Sequence, residues 1–124
     1  MNEGGRTILV VDDDDDIREV LREVLEQRQH HVVVAQNGAD ALVVLRAVQV
    51  DAIVLDLSMP RLDGRSFLDV RERLAGVRAI PVIVVTASRD VSLDHDDRIQ
   101  VVLRKPFMAG DLAAAVEACA NVRT

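Results

Sequence analysis

Apolar residues follow two spacings that alternate along the chain. Short continuous runs rich in valine and isoleucine, such as Thr7–Val11, are typical of β-strands that are buried on both faces. Between these runs, apolar residues recur every three or four positions, as Ile17, Val20 and Leu21 do, which is typical of a helix with one buried face. The pattern predicts five strands, at residues 7–11, 31–35, 52–55, 81–85 and 99–103.

Capping and turn residues indicate where the helices begin. Asp14 or Asp15 is placed to cap the first helix, because an acidic side chain can accept hydrogen bonds from the free N–H groups there. Asn37 begins the turn into the second helix, and a loop containing Pro60 leads into the third. We expect Asp111 to cap the last helix.

Strands that alternate with helices predict the fold class. Right-handed crossovers then give an α/β fold, a doubly wound five-stranded parallel sheet with helices on both faces. The length of 124 residues suits one domain with a hydrophobic core, and no linker or internal repeat interrupts it. We expect a single domain over residues 1–124, with an ordered core at about 6–120 and no output domain.

Charge and composition narrow the function classes. The net charge of −6 argues against binding to nucleic acid or to an anionic membrane surface, because both need a basic face. No apolar run reaches the roughly 20 residues of a membrane span and no signal peptide is evident, so we expect a cytoplasmic location. Fourteen of the 15 basic residues are arginine, and Lys105 is the one lysine.

Polar residues follow four of the predicted strands at the end where ligands bind in such sheets. Asp12 and Asp13 follow the first strand, Asp56 the third, Thr86 the fourth and Lys105 the fifth. Carboxylates that gather at one edge repel each other, and a hard divalent cation such as Mg²⁺ relieves that repulsion. Together with a lysine and a hydroxyl, they are equipped for phosphoryl transfer to an aspartate.

Four blocks of the sequence resemble one known family, the receiver domain of bacterial two-component response regulators. The blocks read ILVVDDDDDIREVL, IVLDLSMPRLDG, PVIVVTAS and LRKPF, and they occur in the order found in that family. The resemblance spans nearly the full chain. It implies the strand order 2-1-3-4-5 for the doubly wound sheet.

The resemblance also implies a role for each candidate site residue. Asp56 would be the phosphoacceptor, Thr86 would hydrogen-bond the phosphoryl group, and Lys105 would pair with it. The ligands that it implies for Mg²⁺, or for Mn²⁺ in its place, are Asp12, Asp13, Asp56 and the backbone carbonyl of Ser58.

A phosphorylation switch is the function that this resemblance implies. The chain would accept a phosphoryl group from a sensor histidine kinase or a phosphotransfer protein and would signal to a downstream protein by altering its surface. Beyond catalysing its own phosphorylation and dephosphorylation, it would not be a conventional enzyme. Both a stand-alone regulator and one domain of a longer chain remain open.

Two other function classes compete with this interpretation. A phosphatase or phosphotransferase could also use an aspartyl phosphate, but Ser58 stands where a second acid would be needed as general acid. A receiver-like binding module would need no phosphorylation, but Asp12, Asp13, Asp56, Thr86 and Lys105 form a complete set. Intact mass after incubation with a small phosphodonor and Mg²⁺ separates the three.

Several further residues lie outside the site. We expect His30 and His31 to be surface and strand-edge residues, and Cys119 to pack as a small apolar group on the last helix. Residues 88–98 are polar and lack a helical stripe, so we expect a short or irregular helix between the fourth and fifth strands. Val102 occupies the position where the family usually has an aromatic ring, three residues before the lysine.

Overall fold

The computed structural model describes residues 5–57, 64–74, 76–77 and 79–122. Five strands alternate with helices along the chain. The strands are β1 (Thr7–Val11), β2 (His31–Ala35), β3 (Ala52–Asp56), β4 (Val82–Thr86) and β5 (Val101–Arg104). The helices are α1 (Asp15–Glu26), α2 (Gly38–Ala47), α3 (Gly64–Glu72) and α4 (Ala109–Val122), with a 3₁₀ helix at Val91–His95.

All strand pairs in the sheet are parallel, and the strand order is β2-β1-β3-β4-β5. The order and the parallel direction are those predicted. Because every strand points the same way, the carboxyl ends of the strands lie along a single edge of the sheet. Polar residues that follow the strands are therefore brought together there.

The core has two layers, one on each face of the sheet. On one face, Leu9 and Leu55 belong to a buried cluster that includes Leu45 of α2 and Phe67 of α3. On the other face, residues such as Val10 pack in a second cluster. Its helical members are Leu21 and Leu25 of α1, and Leu112, Val116, Cys119 and Ala120 of α4. Cys119 is thus part of the apolar core, as expected.

Capping residues fix the helix starts, with one correction. Asp14 caps α1 and accepts hydrogen bonds from the backbone N–H groups of Asp16 and Ile17, and Asn37 caps α2. Asp111, however, is not the capping residue of the last helix, because α4 begins at Ala109. Its carboxylate turns back and accepts from the backbone N–H of Met108 at 3.0 Å, the role that an acid takes in the first turn.

The strands after β3 are shifted slightly from their predicted bounds. The fourth strand starts after Pro81, which has no N–H to donate to a neighbouring strand. The fifth starts at Val101 rather than Ile99, because Ile99 N–H donates to the carbonyl of Asp96 and so belongs to the preceding turn.

Between β4 and β5 the chain forms a five-residue 3₁₀ helix in place of an α-helix, which confirms the expected short fourth helix. Leu93 is its one buried residue, and Val91 is 70% exposed. A single apolar anchor cannot hold a longer amphipathic helix on the sheet. None of the helices in the described ranges has the length and hydrophobicity of a transmembrane span.

The expectation that both histidines lie at the surface is wrong for His30. Its side chain is buried: Nδ1 accepts from the backbone N–H of Arg6 at 3.3 Å, and Nε2 lies 3.1 Å from Oε2 of Glu117 on α4. The ring therefore connects the start of the sheet to the last helix. His31, which comes next, is exposed. A contact with a residue 87 positions away is invisible to local sequence patterns.

These two adjacent histidines give a matched test of the fold. We expect His30→Ala to lower the free energy of unfolding by about 1–3 kcal/mol, because it removes a buried ring and the acceptor that this ring provides for the Arg6 backbone N–H. The control, His31→Ala, should stay within about 0.5 kcal/mol of the wild type. Urea unfolding followed by far-ultraviolet circular dichroism measures both. Equal losses in the two variants would contradict the role given to His30.

Candidate functional site

The carboxyl edge of the sheet brings together most of the residues singled out in the sequence. Asp56 and Thr86 are the last residues of β3 and β4, and both are fully buried. Asp12 follows β1 directly and is also fully buried, while Lys105 follows β5. Adjacent parallel strands therefore place these four residues along one edge of the sheet.

Lys105 forms the central contact of the site. Its Nζ atom donates to Oδ2 of Asp56 at 2.7 Å. The Asp56 side chain has no solvent exposure, whereas 27% of the lysine side chain is exposed. The buried carboxylate therefore has a cation beside it, and that cation can also reach a group arriving from solvent. The backbone N–H of Lys105 bonds to the carbonyl of Thr86 at 2.8 Å, which fixes the end of β5 against β4.

The Asp12 carboxyl group is buried close to that of Asp56. One oxygen, Oδ1, accepts from the backbone N–H of Asp14 at 2.9 Å. Within the described ranges, no hydrogen-bond donor reaches the other oxygen, which is buried. Burial raises the pKa of Asp12 to about 7, and the neighbouring Asp56 carboxylate adds to the rise. The Asp14 N–H and the charge of Lys105 act in the opposite direction.

Arg18 supports the turn that carries Asp12. Its Nη1 atom donates to the backbone carbonyl of Asp12 at 2.8 Å, and its other terminal nitrogen pairs with Asp15. The arginine is thus tied to the strand end from one turn inside α1. Sequence reasoning missed this residue. Its spacing of three from Asp15 on a helix was the available signal.

The other predicted ligands are less fully placed. Asp13 is half-buried at the start of the turn after β1. Among the residues described, no group of three acidic, histidine or cysteine side chains is close enough to hold a metal ion. The Asp13 carboxylate therefore does not join those of Asp12 and Asp56 in one cluster. Ser58, whose backbone carbonyl the resemblance implies as a ligand, lies outside the described residues.

The chemistry of the donor set nevertheless fits a divalent cation. A buried carboxylate oxygen of Asp12 without a donor, next to the Asp56 carboxylate, is the environment in which a hard cation gains oxygen ligands. Mg²⁺ typically uses one or two carboxylates and keeps several waters, so it does not require three clustered side chains. Asp12 and Asp56 fit this role.

Thr86 connects the site to the segment that follows β4. Its Oγ1 atom accepts a hydrogen bond from the backbone N–H of Ser88 at 3.0 Å. A hydroxyl can donate while it accepts, so the same group can bond to an anion beside Asp56. Any movement of this hydroxyl changes its hydrogen bond with the Ser88 backbone.

An apolar groove opens beside the site, between α1 and the chain after β5. Its volume is about 450 Å³. Asp16 and Lys105 are its charged lining residues, and the rest of the lining is apolar. Most of it comes from Ile17, Val20, Leu21 and Val24 of α1 and from Pro106, Phe107, Ala109 and Leu112.

The raised pKa of Asp12 predicts a pH dependence of stability in the absence of divalent metal. The folded protein keeps this proton up to a pKa of about 7, whereas an ordinary aspartate loses it near 3.8. The resulting stabilisation is fully present below pH 3.8 and is lost as the pH rises through 7. Asp12→Asn removes this titration. We expect the variant to be more stable than the wild type at pH 8, by about 1 kcal/mol or more, and to lose that advantage toward low pH.

Urea unfolding with a chelator at pH 5 and pH 8 measures the effect. Asp16→Asn is the control, because that aspartate is exposed in the first turn of α1. It should retain the pH dependence of the wild type. The assignment is overturned if Asp12→Asn and the wild type change equally between the two pH values.

Comparisons with known proteins agree with this geometry. The family model of the response regulator receiver domain matches residues 8–117. The response regulator MprA of Mycobacterium tuberculosis is 40% identical over 115 residues, which cover 90% of this chain and 49% of that protein. The chain thus spans about half the length of the curated relatives that it matches.

Solved structures give the same family. The receiver domain of a Francisella response regulator has a TM-score of 0.82 at 29% identity and covers 96% of this chain and 99% of that one. The response regulator TrrA of Thermotoga maritima, solved in complex with Mg²⁺ and BeF, has a TM-score of 0.80 at 27% identity and covers 92% and 98%. Sequence, sheet order and carboxyl edge agree, and we conclude that this chain belongs to the response regulator receiver domains of two-component systems.

Proposed function

We propose that this receiver domain is a phosphorylation switch in which Asp56 accepts a phosphoryl group. The observation that carries the proposal is the pair formed by the buried Asp56 carboxylate and Lys105 at 2.7 Å. A nucleophilic carboxylate needs a nearby cation that can move to stabilise the negative charge on the transferred phosphoryl group. Lys105 meets this need because its ammonium is a compact charge on a flexible stem.

The transfer is a displacement at phosphorus. A carboxylate oxygen of Asp56 forms a bond to phosphorus, and the bond between phosphorus and the donor nitrogen breaks. That nitrogen leaves as the imidazole of a histidine on a sensor kinase or phosphotransfer protein. Mg²⁺ held by Asp12, Asp13, Asp56 and the Ser58 carbonyl would neutralise charge on the phosphoryl oxygens. Lys105 and the Thr86 hydroxyl would donate hydrogen bonds to the same oxygens.

The surroundings of the site support a protein as the phosphoryl donor. Lys105 is both the partner of Asp56 and part of the lining of the apolar groove along α1. A partner helix that covers this groove would bury apolar surface directly beside the phosphoacceptor. Such contacts orient a donor, and the domain itself then acts only on its own aspartate. The downstream partner would read the altered surface beyond Thr86.

The first test is the phosphoacceptor itself. We expect the wild type to gain one labile phosphoryl group when it is incubated with acetyl phosphate and Mg²⁺, and Asp56→Asn to gain none, because the amide is not a nucleophile of this kind. Intact mass spectrometry measures both. Asp51→Asn is the matched control: it precedes β3 at the opposite edge of the sheet, and the amide oxygen can still accept from the Thr7 N–H as the carboxylate does.

Each result of this experiment separates the candidate functions. Labelling of the wild type and of Asp51→Asn, but not of Asp56→Asn, supports the switch. Labelling of Asp56→Asn at the wild-type rate overturns the assignment of the phosphoacceptor. An unlabelled wild type points instead to a binding module, and sustained release of phosphate from added phosphoesters points to a phosphatase.

The role of Lys105 predicts two opposite effects of one substitution. In Lys105→Met the ammonium no longer competes for the Asp56 carboxylate, so Mg²⁺ should bind more tightly. Phosphoryl transfer from acetyl phosphate should nevertheless slow by about 100-fold, because the donor to the phosphoryl oxygens is lost. Calorimetric Mg²⁺ titration and the time course of intact mass measure the two. Weaker Mg²⁺ binding, or unchanged transfer, would contradict the role.

A further inference from the structure

Arg104, the last residue of β5, holds the chain that follows β4. We call residues 88–95 the connecting segment. The guanidinium donates four hydrogen bonds to this segment: one to the Ser88 carbonyl at 3.1 Å, one to the Asp90 carbonyl at 2.8 Å, and two to the Asp94 carboxylate at 3.2 and 3.0 Å. A planar guanidinium can satisfy several acceptors at once, which an ammonium cannot do with the same geometry.

Arg104 also lies next to the residues of the proposed phosphoryl site. It pairs with Thr86 in the register of β4 and β5, and its next neighbour is Lys105. The same short stretch of β5 therefore presents the lysine to Asp56 and the arginine to the connecting segment. A shift of this strand end moves both side chains.

Ser88 is the residue at which the two sets of contacts meet. Its backbone N–H donates to the Thr86 hydroxyl at 3.0 Å, and its carbonyl accepts from Arg104 at 3.1 Å. The two backbone polar groups of Ser88 are thus bound, the N–H by Thr86 of the site and the carbonyl by Arg104. The connecting segment cannot rearrange at Ser88 without affecting the Thr86 hydroxyl.

We propose that Arg104 is a positioning residue that couples the Thr86 hydroxyl and Lys105 to the conformation of the connecting segment. The inference rests on the proposed function, phosphorylation at Asp56. The arginine contacts belong to the arrangement in which Lys105 pairs with the Asp56 carboxylate and the Thr86 hydroxyl accepts from Ser88. They stabilise that arrangement against one in which both groups turn to phosphoryl oxygens.

The direction of the effect follows from linkage. A contact that stabilises one of two conformations lowers the affinity of any ligand that prefers the other conformation. Removing the contact raises that affinity by the same factor. Loss of the Arg104 contacts should therefore loosen the connecting segment and strengthen binding of a phosphoryl analogue at Asp56. A purely structural contact would loosen the segment without any change at Asp56.

Arg98 provides the matched control. It pairs with Asp96 at 2.7 Å and with Asp69 on α3, and so fixes the chain just after the connecting segment. These contacts are with Asp69 and Asp96 and involve neither Ser88 nor Thr86. Arg98→Gln and Arg104→Gln make the same substitution. Arg98 contacts the chain just after the connecting segment, whereas Arg104 contacts the connecting segment itself.

The experiment measures beryllofluoride binding with Mg²⁺ by calorimetry, since the sequence has no tryptophan or tyrosine to serve as a fluorescent probe. We expect Arg104→Gln to bind beryllofluoride about five-fold more tightly than the wild type. Its amides at 88–95 should exchange about ten-fold faster, with the central strands unchanged. Arg98→Gln should speed exchange near residues 96–98 and leave beryllofluoride affinity at the wild-type value.

Asp94→Asn keeps the proposal testable if Arg104→Gln does not fold. This variant weakens the carboxylate contact and leaves both carbonyl contacts, so its effects should have the same sign and be smaller. Faster exchange at 88–95 without tighter beryllofluoride binding overturns the coupling, as does an equal gain in affinity in Arg98→Gln. A wild type that does not bind beryllofluoride would instead overturn the proposed function.

Discussion

Two fully buried carboxylates, those of Asp12 and Asp56, lie beside the one lysine of the chain, and this charge imbalance is the constraint on which the site depends. Lys105 contacts only one of the two directly, at 2.7 Å from Asp56. The pKa of Asp12 rises to about 7 because it is buried and because Asp56 adds further negative charge. Such a site favours any added positive charge, whether a proton or a divalent cation.

The parallel sheet creates this constraint. Asp12, Asp56, Thr86 and Lys105 come from four different parts of the chain, and only the common direction of the strands places them at one edge. The apolar residues of β1, β3 and β4 exclude water on both faces below that edge. The packing of the two core layers thus keeps these carboxylates close together, whereas in a flexible loop their repulsion would separate them.

Arginine side chains, rather than lysine, fix the turns and loops around the site. Arg18 fixes the turn at Asp12, Arg104 fixes the connecting segment, and Arg98 ties the chain after it to α3. In the latter two cases the arginines secure a stretch with a single buried apolar side chain, Leu93. Polar contacts of this kind can exchange partners at a lower cost than a packed helix face can, which suits a surface that responds to a site.

The sequence by itself predicted the parallel direction and the residues at the carboxyl edge, and its resemblance to the receiver family implied the strand order. Those features depend on local patterns: β-branched apolar runs, acids that end them, and the four family motifs. The same patterns predicted a short or irregular helix within residues 88–98, because an apolar stripe is either present or absent in the residues themselves, and the structure places it at Val91–His95. The starts of β4 and β5 lie one or two residues later than predicted, because Pro81 has no N–H to donate and the Ile99 N–H bonds within the preceding turn.

Only the tertiary structure decided which polar groups meet. It buried His30 against Glu117, placed Asp111 inside α4, and directed Arg104 onto Ser88, Asp90 and Asp94. These pairings depend on distances between elements that are packed by the sheet, and no local spacing encodes them. The perturbed pKa of Asp12 has the same origin, because burial and a neighbouring charge are properties of the folded chain rather than of the residue.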